Sequence, residues 1–252
     1  MCYYMGFKTS RDGMIRAKQI EKEFGVDEAL KFVRGIVSGF EYGNWPVLKP
    51  KVGEEDFEIS MMHWELIPFW VKDMEAVKES RKKFTTLNAT CENLLTSKMF
   101  RDSALKRRCI VVATHFFEWR HITPEGRKTA IKYPYHIDVK DQEYFFIAGI
   151  YSPWTDKSTG ETMDTFALIT TKANSLMEQI HNTKMRMPTI LPEDLAYEWM
   201  FGDLSEERIK ELASYQFPAD KMDGYTVAKD VRAAFDPIEK VDYPDLQPLQ
   251  LC

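Results

Sequence analysis

The sequence has few cysteines and no long apolar run, and these two shortages exclude several classes of protein. Its four cysteines, at positions 2, 91, 109 and 252, form no CxxC pair and no zinc-ligand spacing, which excludes a disulfide scaffold and a zinc finger. No apolar stretch approaches the roughly 18 residues that a membrane helix needs, and the first residues do not resemble a signal peptide. We therefore expect a cytoplasmic protein of a reducing compartment, without a membrane partner.

The common cofactor and catalytic motifs are also missing. The sequence contains no GxGxxG or GxxxxGK[ST] loop for a nucleotide, and no HExxH or GxSxG motif. Glycine and proline, at twelve residues each, are too few for a collagen-like or low-complexity chain. The sequence therefore predicts a globular protein with no cofactor and no metal.

Charge is unevenly distributed, although the formal net charge is only −5. Residues 78–108 contain nine Lys and Arg against three Asp and Glu, whereas residues 193–252 contain six against fourteen. A basic band on an acidic chain can bind an anion locally while the remaining surface repels it. The alternative is that the band is a solvated helix face.

Strand patterns dominate the middle of the chain and do not alternate regularly with helices. Apolar and β-branched runs predict strands at 44–50, 57–70, 108–119, 129–139, 143–154, 164–174 and 223–231, with 129–154 forming an antiparallel hairpin. Apolar periodicity and capping residues predict helices at 18–36 (interrupted at Gly25), 93–107, 173–181, 193–200 and 206–214, the last of them capped by Ser205. This order predicts an α+β fold with a largely antiparallel sheet.

Cys2 is a candidate nucleophile because an initiator Met before a small residue is normally removed. The mature chain would then carry an α-amine and a thiol on adjacent carbons, with reference pKa values of roughly 8 and 8.5. The amine can form a Schiff base with an aldehyde, and the thiol can close on the imine carbon to give a five-membered thiazolidine. The alternative is that Cys2 is an accident of a frayed terminus.

Three further polar residues are candidates for proton transfer or ligand contact. Glu118 lies among aromatic residues, where desolvation would raise its pKa toward a useful acid–base range, although alternation along the strand equally allows it to face outward. His181 ends a predicted helix, where the helix dipole favours its protonated form, and it is otherwise a helix cap. Asn88 stands in a turn, where it caps a helix or reaches a ligand.

Taken together, these residues resemble one family. Five features occur in the order and spacing of the SOS response-associated peptidase (SRAP) family: Met1-Cys2, the WELIPFW stretch, the NATCEN turn, the RC…FFEW strand and the H…RMP loop. The resemblance runs from residue 2 to about Val231. Proteins of this family crosslink themselves to abasic sites in single-stranded DNA.

The resemblance implies a fold, a set of roles and a partner. The fold would be a single α+β domain with a barrel-like β core flanked by helices, at residues 1–235, followed by an irregular tail at 236–252. Cys2 would form the crosslink after self-processing removes Met1. Asn88 would hold the α-amine and the sugar remnant, and Glu118 and His181 would be catalytic. The partner would be single-stranded DNA with abasic sites, bound by a monomer.

The sequence departs from the family pattern in three places, the first two of which would each remove an arginine that contacts DNA. Tyr3-Tyr4 stands where the family generally has Gly-Arg, Thr90 replaces an Arg that grips phosphate, and Thr114-His115-Phe116-Phe117 precedes Glu118 in place of a sequence such as DGFY. Two arginines are thereby lost. We expect the DNA-binding residues to be Tyr3, Tyr4, Trp64, Lys82, Lys83, Thr90, Arg107, Arg108 and Arg186.

Two alternatives from other functional classes stay open at this point. An N-terminal-nucleophile amidohydrolase would also use a Cys exposed by Met removal, but on a small amide substrate. A non-catalytic single-strand binding module would leave Cys2 without a role.

Overall fold

Two β-sheets, seen in a computed structural model that describes residues 2–7, 34–53 and 56–250, form the centre of the molecule. The strands are β1 Tyr4–Phe7, β2 Arg34–Ser38, β3 Asn44–Pro50, β4 Phe57–Trp64, β5 Asn88–Thr90, β6 Arg108–Ala113, β7 His115–Ile122, β8 Ile131–Val139, β9 Phe145–Thr155, β10 Thr162–Lys172, β11 Arg186–Pro188, β12 Ile190–Leu191 and β13 Met222–Thr226. The helices are α1 Met74–Arg81, α2 Arg101–Lys106, α3 Ser175–Ile180, α4 Glu193–Phe201 and α5 Glu206–Ala213. Among the described residues, no helix is long and apolar enough to cross a membrane.

The larger sheet closes on itself as a five-stranded barrel. Its circular order is β10-β4-β3-β6-β9, and β9 pairs back with β10. Every pairing in the ring is antiparallel except that of β4 with β10. The smaller sheet, in the order β13-β8-β7-β1-β2, is antiparallel throughout. The expected α+β class with a barrel-like, largely antiparallel core is confirmed.

Helices α4 and α5 cover one side of the barrel through a second apolar cluster. Trp199 of α4 is fully buried, and its indole Nε1 donates to the backbone oxygens of Cys109 and Gly149 at 3.2 and 3.1 Å. Strand β6 is therefore covered on both faces, which explains why all six of its residues are buried. The predicted cap at Ser205 is confirmed, since its hydroxyl accepts from the Arg208 amide at the start of α5.

Several sequence-based boundaries were wrong where long-range pairing decides them. The predicted single strand at 108–119 is two strands in different sheets, because the chain turns at Thr114, whose amide donates to the carbonyl of Gly6. The predicted hairpin at 129–154 is also wrong. Strand β8 pairs with β7 and β13, whereas β9 pairs with β6, β10 and β12. Local alternation identifies a strand but not its partner.

Three other predicted elements also differ from the structure. The predicted helix at 93–107 is reduced to α2, preceded by a 3₁₀ turn at Cys91–Asn93. The strand predicted at 57–70 ends at Trp64, after which the chain is irregular up to the start of α1. The helix predicted at 18–36 lies mostly outside the described residues, and its last residues belong to β2 instead.

Candidate active site

Strand β1 brings the start of the chain alongside the strand that carries Glu118. It lies between β2 and β7, with Met5 opposite Phe116 and Gly6 opposite His115. Gly6 is required here because a Cβ at this position would lie only 1.8 Å from Nε2 of His115. In an antiparallel pair, each earlier residue of β1 lies opposite a later residue of β7. The residues before Met5 therefore lie beside the part of β7 that carries Glu118.

Glu118 and His181 meet at the junction of β7 and α3. Both side chains are buried, and Oε2 of Glu118 lies 3.7 Å from Nε2 of His181. Helix α3 begins at a cap in which Asn174 accepts from the Met177 amide, and it ends immediately before His181. The inward-facing alternative for Glu118 is therefore the one that the tertiary structure selects.

Burial moves the pKa values of these two groups in opposite directions. Desolvation raises the pKa of the Glu118 carboxyl to about 8, although the charge of the amino terminus acts against this shift. Desolvation lowers the pKa of His181 to about 4, and the same amino-terminal charge adds to this effect. At neutral pH the pair therefore consists of a protonated carboxyl and a neutral imidazole. The rise expected for Glu118 is confirmed, and the protonated His181 expected from the helix dipole is wrong, because burial outweighs the dipole.

The backbone oxygen of Arg186 fixes the tautomer of His181. Nδ1 of the imidazole lies 2.9 Å from that oxygen, which can only accept, so Nδ1 carries the hydrogen. Nε2 is then the acceptor atom, and it faces Glu118. The pair can consequently act as a proton donor and a proton acceptor side by side.

Cys2 is completely buried beside these groups. Its Sγ donates a weak hydrogen bond to the carbonyl of Tyr4 at 3.8 Å. Burial, and secondarily the proximity of Glu118, raises the pKa of the thiol far above its ordinary value. The thiol is therefore protonated at neutral pH, so the α-amine of a processed chain would be the better first nucleophile.

A cavity of about 510 Å³ opens over Glu118 and His181. Two aromatic pairs flank it: Tyr3 packs on Phe40 at 4.7 Å between ring centroids, and Tyr4 packs edge-on against Trp119 at 4.9 Å. The other side chains that line the cavity belong to His121, Lys132, Thr183 and Lys184. Aromatic faces combined with lysines suit a polyanion that carries stackable bases.

Neither Cys2, which is buried, nor Asn88 lines this cavity. Asn88 lines a separate polar cavity of about 280 Å³, together with Thr90 and other hydroxyl and amide side chains. Its side chain is buried, and within the described chain neither Oδ1 nor Nδ2 has a hydrogen-bond partner. An orphaned buried amide of this kind is costly unless a ligand or solvent satisfies it.

Two residues expected to contact DNA belong to the core instead. Trp64 is only 1% exposed, stacks on Phe166 and donates through Nε1 to the Leu87 carbonyl at 3.1 Å. Arg108 is 8% exposed, and its guanidinium donates to four backbone oxygens, including that of Trp199 at 2.7 Å. The expected DNA contacts of Trp64 and Arg108 are therefore wrong. The barrel covers Trp64 and α4 covers Arg108, and the sequence pattern did not show this.

Most of the basic band is paired with acidic residues. Six ion pairs involve its cations: Lys78 with Glu75, Arg81 with Glu65, Lys82 with Glu79, Arg101 with Glu206, and Lys106 and Arg107 with Asp102. Lys83 is exposed and has no acidic partner within 4 Å in the described part of the chain. The solvated-face alternative thus accounts for much of the band.

Arg186 is similarly engaged rather than available. Its guanidinium donates to Glu92 at 2.6 Å and to the Thr170 carbonyl at 2.5 Å, and its side chain is only 14% exposed. The same residue holds His181 through its backbone oxygen. The position of Arg186 therefore points to a scaffolding role as much as to DNA contact.

Sequence reasoning missed several residues at the surface of the site. Lys132 lines the cavity, yet it belongs to a strand segment that gave no charge or motif signal, and Trp119 lines it as the last residue of the RC…FFEW strand, although it is not among the residues expected to contact DNA. Outside the lining of both cavities, Phe69 is 74% exposed and packs edge-on against the exposed Trp70 at the end of the WELIPFW stretch. The sequence signal for this exposed pair is two adjacent large aromatic residues beside a proline turn.

Comparisons with known proteins agree on one family. The family model described as SOS response associated peptidase (SRAP) matches residues 14–234. The chain is 32% identical over 170 residues to the abasic site processing protein YoqW of Bacillus subtilis (strain 168), covering 68% of this chain and 69% of that one. It is 33% identical over 194 residues to the abasic site processing protein YMR114C of Saccharomyces cerevisiae, covering 75% of this chain and 48% of the relative. A crystal structure of a Bacteroides thetaiotaomicron protein superimposes with a TM-score of 0.78 at 33% identity, over 94% of this chain and 97% of that chain.

Proposed function

The chain belongs to the SOS response associated peptidase (SRAP) family, and on that premise we propose that it processes abasic sites by capturing the lesion covalently on Cys2. The observation that carries this proposal is that a protonated carboxyl and a neutral imidazole line one cavity, with the buried Cys2 thiol near enough to Glu118 for that carboxyl to raise its pKa. The relatives named as abasic site processing proteins support it.

The chemistry requires two nucleophiles on one residue. Removal of Met1, which we propose is a self-processing step, exposes the α-amine of Cys2 next to its thiol. His181 accepts the C1′ hydroxyl proton and returns it to the ring oxygen as the C1′–O4′ bond breaks, and the amine adds to the resulting aldehyde. Glu118 gives its proton to the departing hydroxyl and takes one back from the nitrogen, so that water leaves and a neutral imine forms.

The second half of the reaction makes the link stable. The Cys2 thiol adds to the imine carbon, and the thiol proton passes to the imine nitrogen, which closes the thiazolidine. One water is released per crosslink, and no electrons are gained or lost. The aldehyde that would promote strand cleavage by β-elimination is consumed.

The DNA would be single-stranded and held mainly by stacking and by the lysines of the cavity. Tyr3 with Phe40 and Tyr4 with Trp119 offer aromatic faces on both sides of the opening. Lys132 supplies positive charge at the rim. Bases that flank the lesion stack on these rings while the abasic sugar enters the cavity, and we expect the protein to act as a monomer.

A denaturing gel tests this proposal directly. The purified protein is incubated with a single-stranded oligonucleotide that carries one abasic site, and the products are heated before electrophoresis. We expect a heat-stable, slow-migrating species from the wild type and from Cys91→Ala, a control that removes a half-buried thiol outside the cavity. We expect none from Cys2→Ala, and none when a residue inserted after Met1 blocks the amine.

Three outcomes would contradict the proposal. A heat-stable adduct from Cys2→Ala, or mass spectrometry that places the adduct on another residue, would refute the thiazolidine. Intact DNA binding without any crosslink would favour a binding module. Hydrolysis of small amides without a response to abasic DNA would favour an amidohydrolase.

A further inference from the structure

The last described segment, 239–250, runs back across the smaller sheet. It joins that sheet through one bridge, between Val227 and Lys240, and through the Tyr243 hydroxyl, which donates to the Val227 carbonyl at 2.7 Å. Leu246 and Leu249 pack against the main apolar cluster. The segment lies beyond residue 234, where the family match ends, so family membership assigns it no role.

The end of this segment ties together the two elements that carry the proton-transfer groups. Nη1 of Arg120, two residues after Glu118 on β7, donates to the Gln247 carbonyl at 2.7 Å. Gln179, two residues before His181 on α3, makes a reciprocal pair with the backbone of Gln250. Its Nε2 donates to the Gln250 carbonyl at 2.8 Å, and its Oε1 accepts from the Gln250 amide at 2.7 Å.

A second tie lies on the other side of His181. The side chain of Asn182 accepts from the His121 amide at 3.0 Å and donates to the His121 carbonyl at 2.9 Å. His181 therefore stands between two residues that are each bound by a pair of hydrogen bonds to backbone. A helix of six residues depends on tertiary contacts for its position: its buried side chains Leu176, Met177 and Ile180 anchor it to the core, and these ties add hydrogen bonds at its C-terminal end.

We propose that residues 243–250 form a strap, and that Gln179 and Arg120 are positioning residues through which this strap holds α3 against β7 and keeps His181 beside Glu118. The inference rests on the proposed function of the site. The strap lies outside the part of the chain that the family model matches, so the need for it is additional to the residues that the family shares. Loosening the strap lets the imidazole drift from the carboxyl, and a displacement of about 1 Å can cost about 10²-fold in rate.

A matched pair of variants in the full chain tests the strap. Gln250→Pro removes the backbone amide that donates to Gln179, whereas Gln250→Ala keeps it. We measure the crosslinking rate against DNA concentration, and hydrogen exchange of residues 175–182 in the same proteins. We expect Gln250→Pro to lower the rate at saturating DNA by about tenfold. This loss is smaller than the roughly 10²-fold loss that a displacement of the imidazole by about 1 Å can cause. We expect its half-saturating DNA concentration to stay unchanged and its α3 exchange to accelerate.

Gln250→Ala should match the wild type in all three measurements, and Gln179→Ala should behave like Gln250→Pro. Equal rates and equal exchange for the Pro and Ala variants would overturn the strap. A change confined to the half-saturating concentration would also overturn it, because the segment would then be a DNA contact. If the wild type forms no crosslink, the proposed function fails, and hydrogen exchange alone still decides whether the strap restrains α3.

Discussion

The buried carboxyl of Glu118 should make the stability of the fold depend on pH in a direction opposite to that of an ion-paired carboxylate. Its pKa is about 8 in the folded chain, against 4.5 for the unperturbed group, because burial disfavours the charged form. Between these two values the folded chain keeps a proton that the unfolded chain has released. The stabilisation is therefore complete below pH 4.5 and is lost progressively as the pH rises to about 8.

The magnitude follows from the interval between the two pKa values. Each pH unit corresponds to about 1.4 kcal/mol, so the full interval amounts to about 5 kcal/mol. Glu118→Gln keeps the shape of the side chain and cannot titrate. Its free energy of unfolding, subtracted from that of the wild type, should give a difference that falls by about 1.4 kcal/mol per pH unit between pH 5 and pH 8. The contribution of His181 cancels because both proteins contain it.

Urea denaturation at pH 5, 6, 7 and 8 provides the measurement. Glu198→Gln is a suitable control, because hydrogen bonding to Arg208 lowers the pKa of the Glu198 carboxyl. Its contribution is present above pH 4.5 and is lost only as the pH falls below that value, so the control difference should be flat from pH 5 to pH 8. A flat line for Glu118→Gln as well would show that Glu118 is ionised at neutral pH, and its role as proton donor would be refuted.

Three further predictions test the packing and the DNA surface. Arg108→Met leaves four backbone oxygens without their donor, so it should lower the free energy of unfolding, measured by urea denaturation, by about 3 kcal/mol. An unchanged free energy of unfolding would contradict the structural role of Arg108. Gly6→Ala forces a Cβ into His115, so we expect a lower melting temperature and loss of crosslinking; a wild-type melting curve would show that β1 can shift freely. Replacing both Phe69 and Trp70 by Ala should weaken binding to single-stranded DNA by about 1–3 kcal/mol per lost stack, measured by fluorescence anisotropy, and an unchanged Kd would exclude stacking at this turn.

The sequence predicted local elements well where the determining interactions are themselves local. Ser205 caps α5 because its hydroxyl accepts from the Arg208 amide, which is only three residues away in the chain. The aromatic neighbours of Glu118 allowed desolvation, but strand alternation equally allowed an outward-facing side chain, so the sequence left its environment open. Predictions failed where the partner is distant in the chain. The pairing of β8 with β7 instead of β9 and the burial of Arg108 under α4 are examples.

By itself the sequence determined which residues are candidates for the proposed chemistry. A cysteine at position 2, with Glu118, His181 and Asn88 in the order and spacing of one family, identifies the candidate residues, because motif order does not depend on knowing the contacts. Only the tertiary structure decided their state. The barrel and the smaller sheet bury Glu118 and His181 together, so one keeps its proton and the other releases it at neutral pH. The structure likewise paired most of the basic band with carboxylates, buried Trp64 and brought Gln250 to Gln179, since side-chain environment depends on residues that are far apart in the chain.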